Sequence, residues 1–142
     1  MDNCLFCKIM KGEIPSAKVY ENEYVYAFRD INPQAPVHIL VIPKKHVSSV
    51  SEINVLDEKE IAECLLAVRA IAAQENLTGG YRVVSNCGPD ACQSVPHLHF
   101  IFSAAGRWRT GWPDPAGFRC PRPLHFNGFQ KKVDSDTLWL YN

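Results

Sequence analysis

The first 102 residues alternate short apolar segments with turn residues, and this alternation constrains the fold more than any other feature. Five segments, at 18–21, 24–29, 38–42, 81–85 and 97–102, are rich in Val, Ile, Tyr or Phe and are bounded by Asn, Pro, Gly or Ser. Such segments are typical of short strands. A short helix is predicted over 6–10, because Gly12 and Pro15 follow it closely.

One longer segment predicts a helix that begins after Asp57. Asp57 is a good N-cap, and Glu60 stands three positions later, where a capping box needs it. Gly79-Gly80 is expected to end the segment. Apolar residues recur at helical spacing and form one face, namely Ile61, Leu65, Val68 and Ala72, joined by Cys64 and Ile71. These elements indicate an α+β fold, with a five-stranded, mostly antiparallel sheet and one long and one short helix.

Length and charge narrow the classes of protein further. The chain has 142 residues, the size of a single ordinary domain, and its 15 Lys and Arg balance its 15 Asp and Glu. Nothing in this balance favours nucleic acid or a membrane surface as a partner. No apolar segment approaches the roughly 18 residues of a membrane-spanning helix, and the first residues lack the features of a signal peptide. We therefore expect a cytoplasmic protein that binds neither nucleic acid nor a membrane.

The pattern changes after residue 102. Gly, Pro, Arg and Trp are dense between 106 and 115, and Pro121 and Pro123 oppose a helix nearby. One further short strand is predicted, at 133–142. The sequence therefore divides into a domain at 1–102 and an atypical C-terminal tail at 103–142.

The segment 93–101 carries the most chemical information, because it holds two closely spaced histidines. Side chains alternate along a strand, so His97, His99 and Ile101 would face the same side. Imidazoles two residues apart lie about 6.6 Å apart along a strand. One can then bind a metal while the other acts as a nucleophile. The alternative is a polar sheet face on which both rings are only solvated.

Cys4 and Cys7 form the one recognisable pair among six cysteines. In a reducing compartment, metal binding or burial is favoured over disulfides. The Cys-x-x-Cys spacing suits tetrahedral zinc, and without a second such pair the other ligands must be histidines, for which His46 and His97 are candidates. A redox pair and two buried thiols are the alternatives.

The loop at 85–94 is filled with small and polar residues. Its backbone N–H, amide and hydroxyl groups can serve as donors to an oxyanion. The loop contains neither the P-loop pattern nor the dinucleotide fingerprint. An ordinary turn is the alternative.

Taken together, these motifs resemble the histidine-triad (HIT) family, and within it the Hint branch. The resemblance is carried by residues 29–46, which end in Pro43-Lys44-Lys45-His46, and by residues 80–86 and 93–99, in the expected order. It implies a homodimer in which two five-stranded sheets join into one. It also implies binding of a purine nucleotide of the AMP type, and hydrolysis or transfer at its α-phosphorus, typically from a phosphoramidate.

The resemblance also implies roles for individual residues. The middle triad histidine, here His99, attacks phosphorus and forms a nucleotidyl-histidine that water hydrolyses. Ser94 and His97 are the other catalytic candidates, and His38 matches a histidine close to the triad strand. The nucleotide-binding positions are Asp30 and Ile31 for the ribose and base, with Asn86, Gln93, Ser94 and His99 towards the phosphate.

Bacterial relatives imply the metal ligands. In them, two cysteines, the histidine after Pro-Lys-Lys and the first triad histidine bind zinc. The matching residues here are Cys4, Cys7, His46 and His97, which gives a closed site of two sulfur and two nitrogen ligands.

The sequence departs from the family at the third triad position, which holds Ile101. The loss of a donor aimed at developing charge costs about 10²–10³ in rate. The alternative function is therefore a zinc-containing nucleotide-binding module with little or no turnover. Residues 101–107 also match the family's His-Leu-Leu-Gly-Gly-Arg-Gln once one base is lost from suitable codons. A base lost near codon 101 is thus a hypothesis for the atypical tail.

Overall fold

The computed structural model describes residues 3–104, which form five strands, two α-helices and two short 3₁₀-helices. All strands belong to one sheet with the order β1-β2-β3-β5-β4, and every neighbouring pair is antiparallel. The predicted α+β fold is confirmed. The elements are α1 (Leu5–Met10), β1 (Lys18–Glu21), β2 (Val25–Arg29), β3 (Val37–Pro43), a 3₁₀-helix (Val50–Val55), α2 (Glu58–Gln74), β4 (Tyr81–Val84), a 3₁₀-helix (Pro89–Ala91) and β5 (Phe100–Ala104).

The sheet is covered on both faces, which explains why β3 is a continuous apolar segment. Ile39 and Val41 face α2 and pack with Phe102 of β5. Leu40 and Ile42 point the other way, into a cluster with α1. The side chains on that second face, together with the segments at its edge, form the candidate site.

The N-terminus of α2 has the predicted capping box. The Asp57 carboxylate accepts a hydrogen bond from the Glu60 N–H at 2.7 Å, and the Glu60 carboxylate accepts one from the Asp57 N–H at 2.8 Å. These bonds satisfy two backbone donors that the helix itself leaves unpaired.

The other predictions for α2 need two corrections. The helix ends at Gln74, before Gly79-Gly80, because Asn76 adopts a left-handed conformation (φ 54°) and the Leu77 N–H bonds back to the Ala72 carbonyl. Leu65 is 53% exposed, since it lies about a quarter turn from the centre of the buried face. The buried positions are Cys64, Ala67, Val68, Ile71 and Ala72. Neither helix within residues 3–104 is long and apolar enough to cross a bilayer.

The last strand is displaced from its predicted position. β5 starts at Phe100, and the segment before it bonds elsewhere, since the Leu98 N–H donates to the Val47 carbonyl at 2.6 Å. The strand continues to Ala104, which pairs with both β3 and β4, two residues past the predicted end of the strand at Phe102. The predicted domain boundary at 102 stays a prediction. Residues 105–142, including the predicted strand at 133–142, lie outside the described residues.

Candidate metal centre and active site

The structure brings together the four predicted metal ligands where β3 ends and β5 begins. The ligand atoms of Cys4, Cys7, His46 and His97 all lie within 4.8 Å of one another. The Nδ1 atoms of His46 and His97 are 3.2 Å apart. Cys7 Sγ lies 3.4 Å from the first of these nitrogens and 3.7 Å from the second, and Cys4 Sγ lies 3.5 Å from His97 Nδ1.

This spacing can be compared with that of a bound zinc ion. Zinc bonds of about 2.0–2.3 Å at tetrahedral angles separate the ligand atoms by roughly 3.3–3.8 Å. Four of the separations, from 3.2 to 3.7 Å, lie in or close to this range, and no ligand atom is more than 4.8 Å from another, so a small adjustment brings all four to one ion. Two sulfur and two nitrogen atoms are also a donor set of closed structural sites. The cluster therefore fits zinc, the cofactor predicted from the sequence.

The packing of α1 on the sheet positions the two thiols of the cluster. Cys4 is the N-cap of α1 and Cys7 lies three residues on, so that their thiols share one side of the first turn. Phe6 and Ile9 of the same helix are buried against the sheet. Burial of the apolar face of α1 thus carries both thiols to the histidines.

The electrostatics of the cluster are suited to binding a cation. His97 is fully buried, and burial lowers its pKa to about 4, so that the ring is neutral at pH 7. His97 Nε2–H donates to the Pro43 carbonyl at 3.0 Å, which directs the Nδ1 lone pair into the cluster. Burial and the neighbouring Cys4 thiol raise the pKa of Cys7 to about 11. A bound metal ion reverses this preference, because a coordinating thiol is deprotonated.

His99 lies next to this cluster and is only 5% exposed. Its Nδ1 is 2.7 Å from the His97 carbonyl oxygen. Because a carbonyl oxygen only accepts, Nδ1 is the protonated nitrogen, and in the neutral tautomer that this bond selects Nε2 has the lone pair. A neutral imidazole held in this tautomer is suited to nucleophilic attack through Nε2.

The two histidines therefore have different tasks. The sequence predicts His97 both as a metal ligand and as a catalytic residue. In the structure one of its ring nitrogens faces the cluster and the other bonds to Pro43, so neither is left for a substrate. The catalytic role of His97 stays a prediction, and its backbone carbonyl is the group that contacts the His99 ring.

Phe6 also lies at the site, although it was not among the predicted site residues. Its ring lies edge-on to both histidines, with centroids 5.9 Å from His97 and 5.4 Å from His99. It stands between the two cysteines of the Cys-x-x-Cys pair. An aromatic residue inside such a pair was the one feature that could have pointed to it.

The loop after β2 places Asp30 and Ile31 together. Ile31 is 89% exposed, so its side chain is accessible to a ligand. Asp30 Oδ1 accepts a hydrogen bond from the Asn32 N–H at 2.8 Å, and its Oδ2 lies 3.5 Å from the ring Nε2 of His38. An exposed apolar side chain thus stands beside an oriented carboxylate.

The loop at 85–94 borders His99. The Ser85 hydroxyl donates to the His99 carbonyl at 3.0 Å, and Asn86 is the next residue in the chain. Ser94, at the other end of the loop, is exposed.

Gln93 closes this loop from within. Its Oε1 accepts from the Gly88 N–H at 2.9 Å, and its Nε2 donates to the carbonyls of Ser48 and Val95 at 2.7 and 3.0 Å. The side-chain amide is thus occupied by backbone groups, which gives Gln93 a loop-bracing role. Its predicted contact with a nucleotide stays a prediction.

Ile101 faces the same side of the sheet as His99. It pairs with Leu40 across β3 and β5 and packs on the cluster that contains Phe6. Within β5 the predicted alternation holds, because Ile101 and Phe102 pack on opposite faces of the sheet. Ile101 therefore adds an apolar surface, and no hydrogen-bond donor, beside His99.

Comparison with known families identifies this arrangement. The HIT domain family model matches residues 11–101. The chain belongs to the HIT family. The match includes His46, His97 and His99 but begins after Cys4 and Cys7, so the two thiols lie outside the part of this HIT chain that the family model covers.

Individual relatives agree with this assignment. A maize protein named 14 kDa zinc-binding protein is 48% identical over 112 residues, covering 77% of this chain and 85% of the relative. An Arabidopsis thaliana protein named adenylylsulfatase HINT1 is 43% identical, covering 77% of this chain and 74% of the relative. The crystal structure of a HIT family hydrolase from Legionella pneumophila matches with a TM-score of 0.72 and 44% identity, covering 79% of this chain and 99% of that one.

Proposed function

We propose that this HIT protein hydrolyses or transfers a purine nucleoside 5′-monophosphate, of the AMP type, from a phosphoramidate through a nucleotidyl intermediate on His99. The observation that carries the proposal is the 2.7 Å hydrogen bond from His99 Nδ1 to the His97 carbonyl, which leaves Nε2 as the free nucleophile. The names of the Arabidopsis and Legionella relatives, an adenylylsulfatase and a hydrolase, support chemistry at a nucleotide phosphorus.

The reaction has two displacements. First, the Nε2 lone pair of His99 attacks the α-phosphorus, the bond from phosphorus to the leaving nitrogen breaks, and the amine departs with a proton from the Ser94 hydroxyl or from solvent. Water then attacks phosphorus and gives up a proton, which returns to the Ser94 oxygen or passes to solvent. The bond to Nε2 breaks, its electron pair returns to the ring, and the monophosphate leaves. During the intermediate the ring is positively charged, and its hydrogen bond to the His97 carbonyl becomes charge-assisted and stronger.

The surrounding residues supply the binding site. The Asp30 carboxylate accepts the ribose hydroxyls, and the exposed side chain of Ile31 packs on the base. Asn86 and Ser94 donate to the phosphate oxygens from the two ends of the loop that Gln93 braces. The position of Ile31 supports this assignment, because its exposed side chain follows Asp30 directly in the chain and is accessible to a base.

Cys4, Cys7, His46 and His97 hold the zinc ion. Its chemistry here is structural, because four protein ligands leave no open position for a substrate. The chain's own contribution is to fix the segment before β5, since the residue that binds the ion with its ring also holds His99 with its carbonyl. The name of the maize relative supports the metal, and reduced thiol ligands support the predicted cytoplasmic location.

The second candidate function is a zinc-containing nucleotide-binding module with little or no turnover. The position of Ile101 favours it, because this side chain lies on the face of His99, among apolar neighbours, and cannot donate to a phosphate oxygen. Binding would then survive while the chemical step is slow.

The homodimer has support at one edge of the sheet. The edge strand β1 carries an exposed ion pair, Lys18–Glu21, which discourages strand pairing. The opposite edge, β4, begins with Tyr81, which is 43% exposed, and α2 exposes Leu65 and Leu66. We propose that β4 joins its copy in the partner. Light scattering should report a dimer for the wild type, whereas a monomer at micromolar concentration would refute this.

An assay with adenosine 5′-phosphoramidate separates the two functions. Wild type and His99→Ala are compared for release of AMP, with AMP affinity measured on both. The enzyme proposal expects turnover by wild type and loss of at least about 10³-fold in the variant, with AMP binding retained. Wild type that binds AMP without turnover would favour the binding module, and absence of AMP binding would refute both.

A further inference from the structure

His38 is a buried histidine to which the proposed reaction gives no task. It lies at the start of β3 and is 7% exposed, and its side chain points to the same face of the sheet as Leu40 and Ile42. Its Nε2 is buried and has no hydrogen-bond partner among residues 3–104. Buried polar atoms are normally paired, so an exception calls for an explanation.

The protonation of this ring is determined by its neighbours. The Gln34 N–H donates to His38 Nδ1 at 2.9 Å, so Nδ1 carries no proton. Burial lowers the pKa of His38, against the opposing effect of Asp30, which keeps the ring neutral near pH 7. The single ring proton is therefore on Nε2, and this atom is a donor.

The acceptor that this donor faces is Asp30. Oδ2 of that carboxylate is 3.5 Å from Nε2, too far for a good hydrogen bond but close enough for a small rotation to form one. The backbone of His38 holds the same residue, because its carbonyl accepts from the Asp30 N–H at 3.1 Å. His38 thus stands directly behind the carboxylate.

We infer that His38 is the positioning residue that aims the Asp30 carboxylate at the two ribose hydroxyls of the nucleotide. This inference rests on the proposed function. A carboxylate has about four lone-pair sites. The Asn32 N–H uses one, and the Nε2–H of His38 faces another, which leaves two for a vicinal diol.

The inference explains why the Nε2–H is unpaired without a ligand. When the diol binds, the carboxylate turns to meet the hydroxyls and closes the gap to Nε2, and the buried donor gains its partner. A neutral ring suits this task better than a charged one, because the carboxylate keeps its negative charge for the hydroxyls. Because this hydrogen bond forms only when the diol is bound, His38 contributes to the selection of a ribonucleotide.

Two substitutions distinguish the roles of the two ring nitrogens of His38. In His38→Asn, an amide oxygen near Nδ1 can still accept from Gln34, but the distant donor is lost. In His38→Gln, the amide nitrogen can occupy the place of Nε2 and donate to Asp30. The probes are AMP and 2′,3′-dideoxy-AMP, which lacks both hydroxyls.

We expect His38→Asn to weaken AMP binding by roughly 10- to 100-fold, the value of one hydrogen bond to a charged carboxylate, and to leave the binding of dideoxy-AMP unchanged. His38→Gln should recover most of the preference for AMP. Equal losses for both nucleotides in His38→Asn would overturn the inference while the proposed function stands. Failure of wild type to bind AMP would overturn both.

A measurement on wild type covers the case in which the variants do not fold. The Nε2 proton of His38 is followed by nitrogen-edited NMR with each nucleotide. AMP should shift this proton downfield and slow its exchange with water, and dideoxy-AMP should do neither. The same response to both nucleotides, or to neither, would overturn the inference.

Discussion

The metal cluster and the proposed nucleotide site lie on one face of the sheet but differ in how fully their polar groups are engaged. At the cluster, both ring nitrogens of His97 have partners, and the two thiols lie against histidine nitrogens. At the nucleotide site, His38 keeps an unpaired buried N–H and Ile31 is almost fully exposed. The polar groups of the first region are therefore satisfied by one another, in an arrangement that fits an ion, whereas those of the second region are left open for a ligand.

His99 lies at the junction of these two regions. Its Nδ1 is bonded to a residue of the closed region, and its Nε2 is available to the open one. A nucleophile needs both conditions, a fixed ring and a free lone pair. Substitutions in the two regions, and a change of pH, test this division between them.

Ile101→His should have the largest effect, because it places a donor in the open region beside His99. We expect kcat for adenosine 5′-phosphoramidate to rise by about 10²–10³, with AMP affinity changed far less. Steady-state kinetics measure both values. Ile101→Met, an apolar control of similar volume, should leave kcat unchanged, and an equal rise in both variants would contradict the explanation.

Cys7→Ser removes one of the four predicted metal ligands. We expect it to lower zinc content and to reduce the melting temperature by on the order of 10 °C, because a structural metal contributes folding free energy. Cys87→Ser is the matched control, since that thiol is exposed and is not part of the cluster. Elemental analysis and thermal unfolding test this, and full zinc content in Cys7→Ser would refute the ligand assignment.

Phe6→Leu tests the contact between the regions. The ring packs on both histidines, so a smaller side chain should loosen His99 and lower kcat by roughly tenfold, through about 1 kcal/mol of lost edge contact. Zinc content should stay the same. Unchanged kcat with correct folding would show that the carbonyl of His97 alone orients the nucleophile.

The smallest expected effect is the loss of folding stability at acidic pH. Burial lowers the pKa of His38 in the folded state, so the unfolded chain takes up the proton first as pH falls below about 6.5. The free energy of unfolding should then fall between pH 7 and pH 5, and by less in His38→Gln than in wild type. Urea unfolding at these pH values measures the difference, and identical slopes would contradict it.

Much of this fold follows from local patterns. The capping box at Asp57 and the continuous apolar segment of β3 locate their elements to within a residue or two, because backbone bonding and burial act on neighbours in the chain. The end of α2 and the start of β5 could not be predicted this way. They depend on the left-handed turn at Asn76 and on the bond from Leu98 to Val47, which only the folded chain brings together.

The candidate site divides in the same manner. The four metal ligands could be named from residue types and from resemblance, and the structure brings them together. Phe6 and the bracing role of Gln93 could not, because they are defined by contacts with residues far along the chain. The separate tasks of His97 and His99 likewise depend on which partner each ring nitrogen meets.

The most direct test of the central claim is to quench the wild-type protein with denaturant during turnover of adenosine 5′-phosphoramidate and map the peptides by mass spectrometry. The account predicts an adenylyl group bonded to the imidazole of His99 and to no other residue. An unmodified His99 in protein that is releasing AMP, or an adenylyl group on a different side chain, would contradict it.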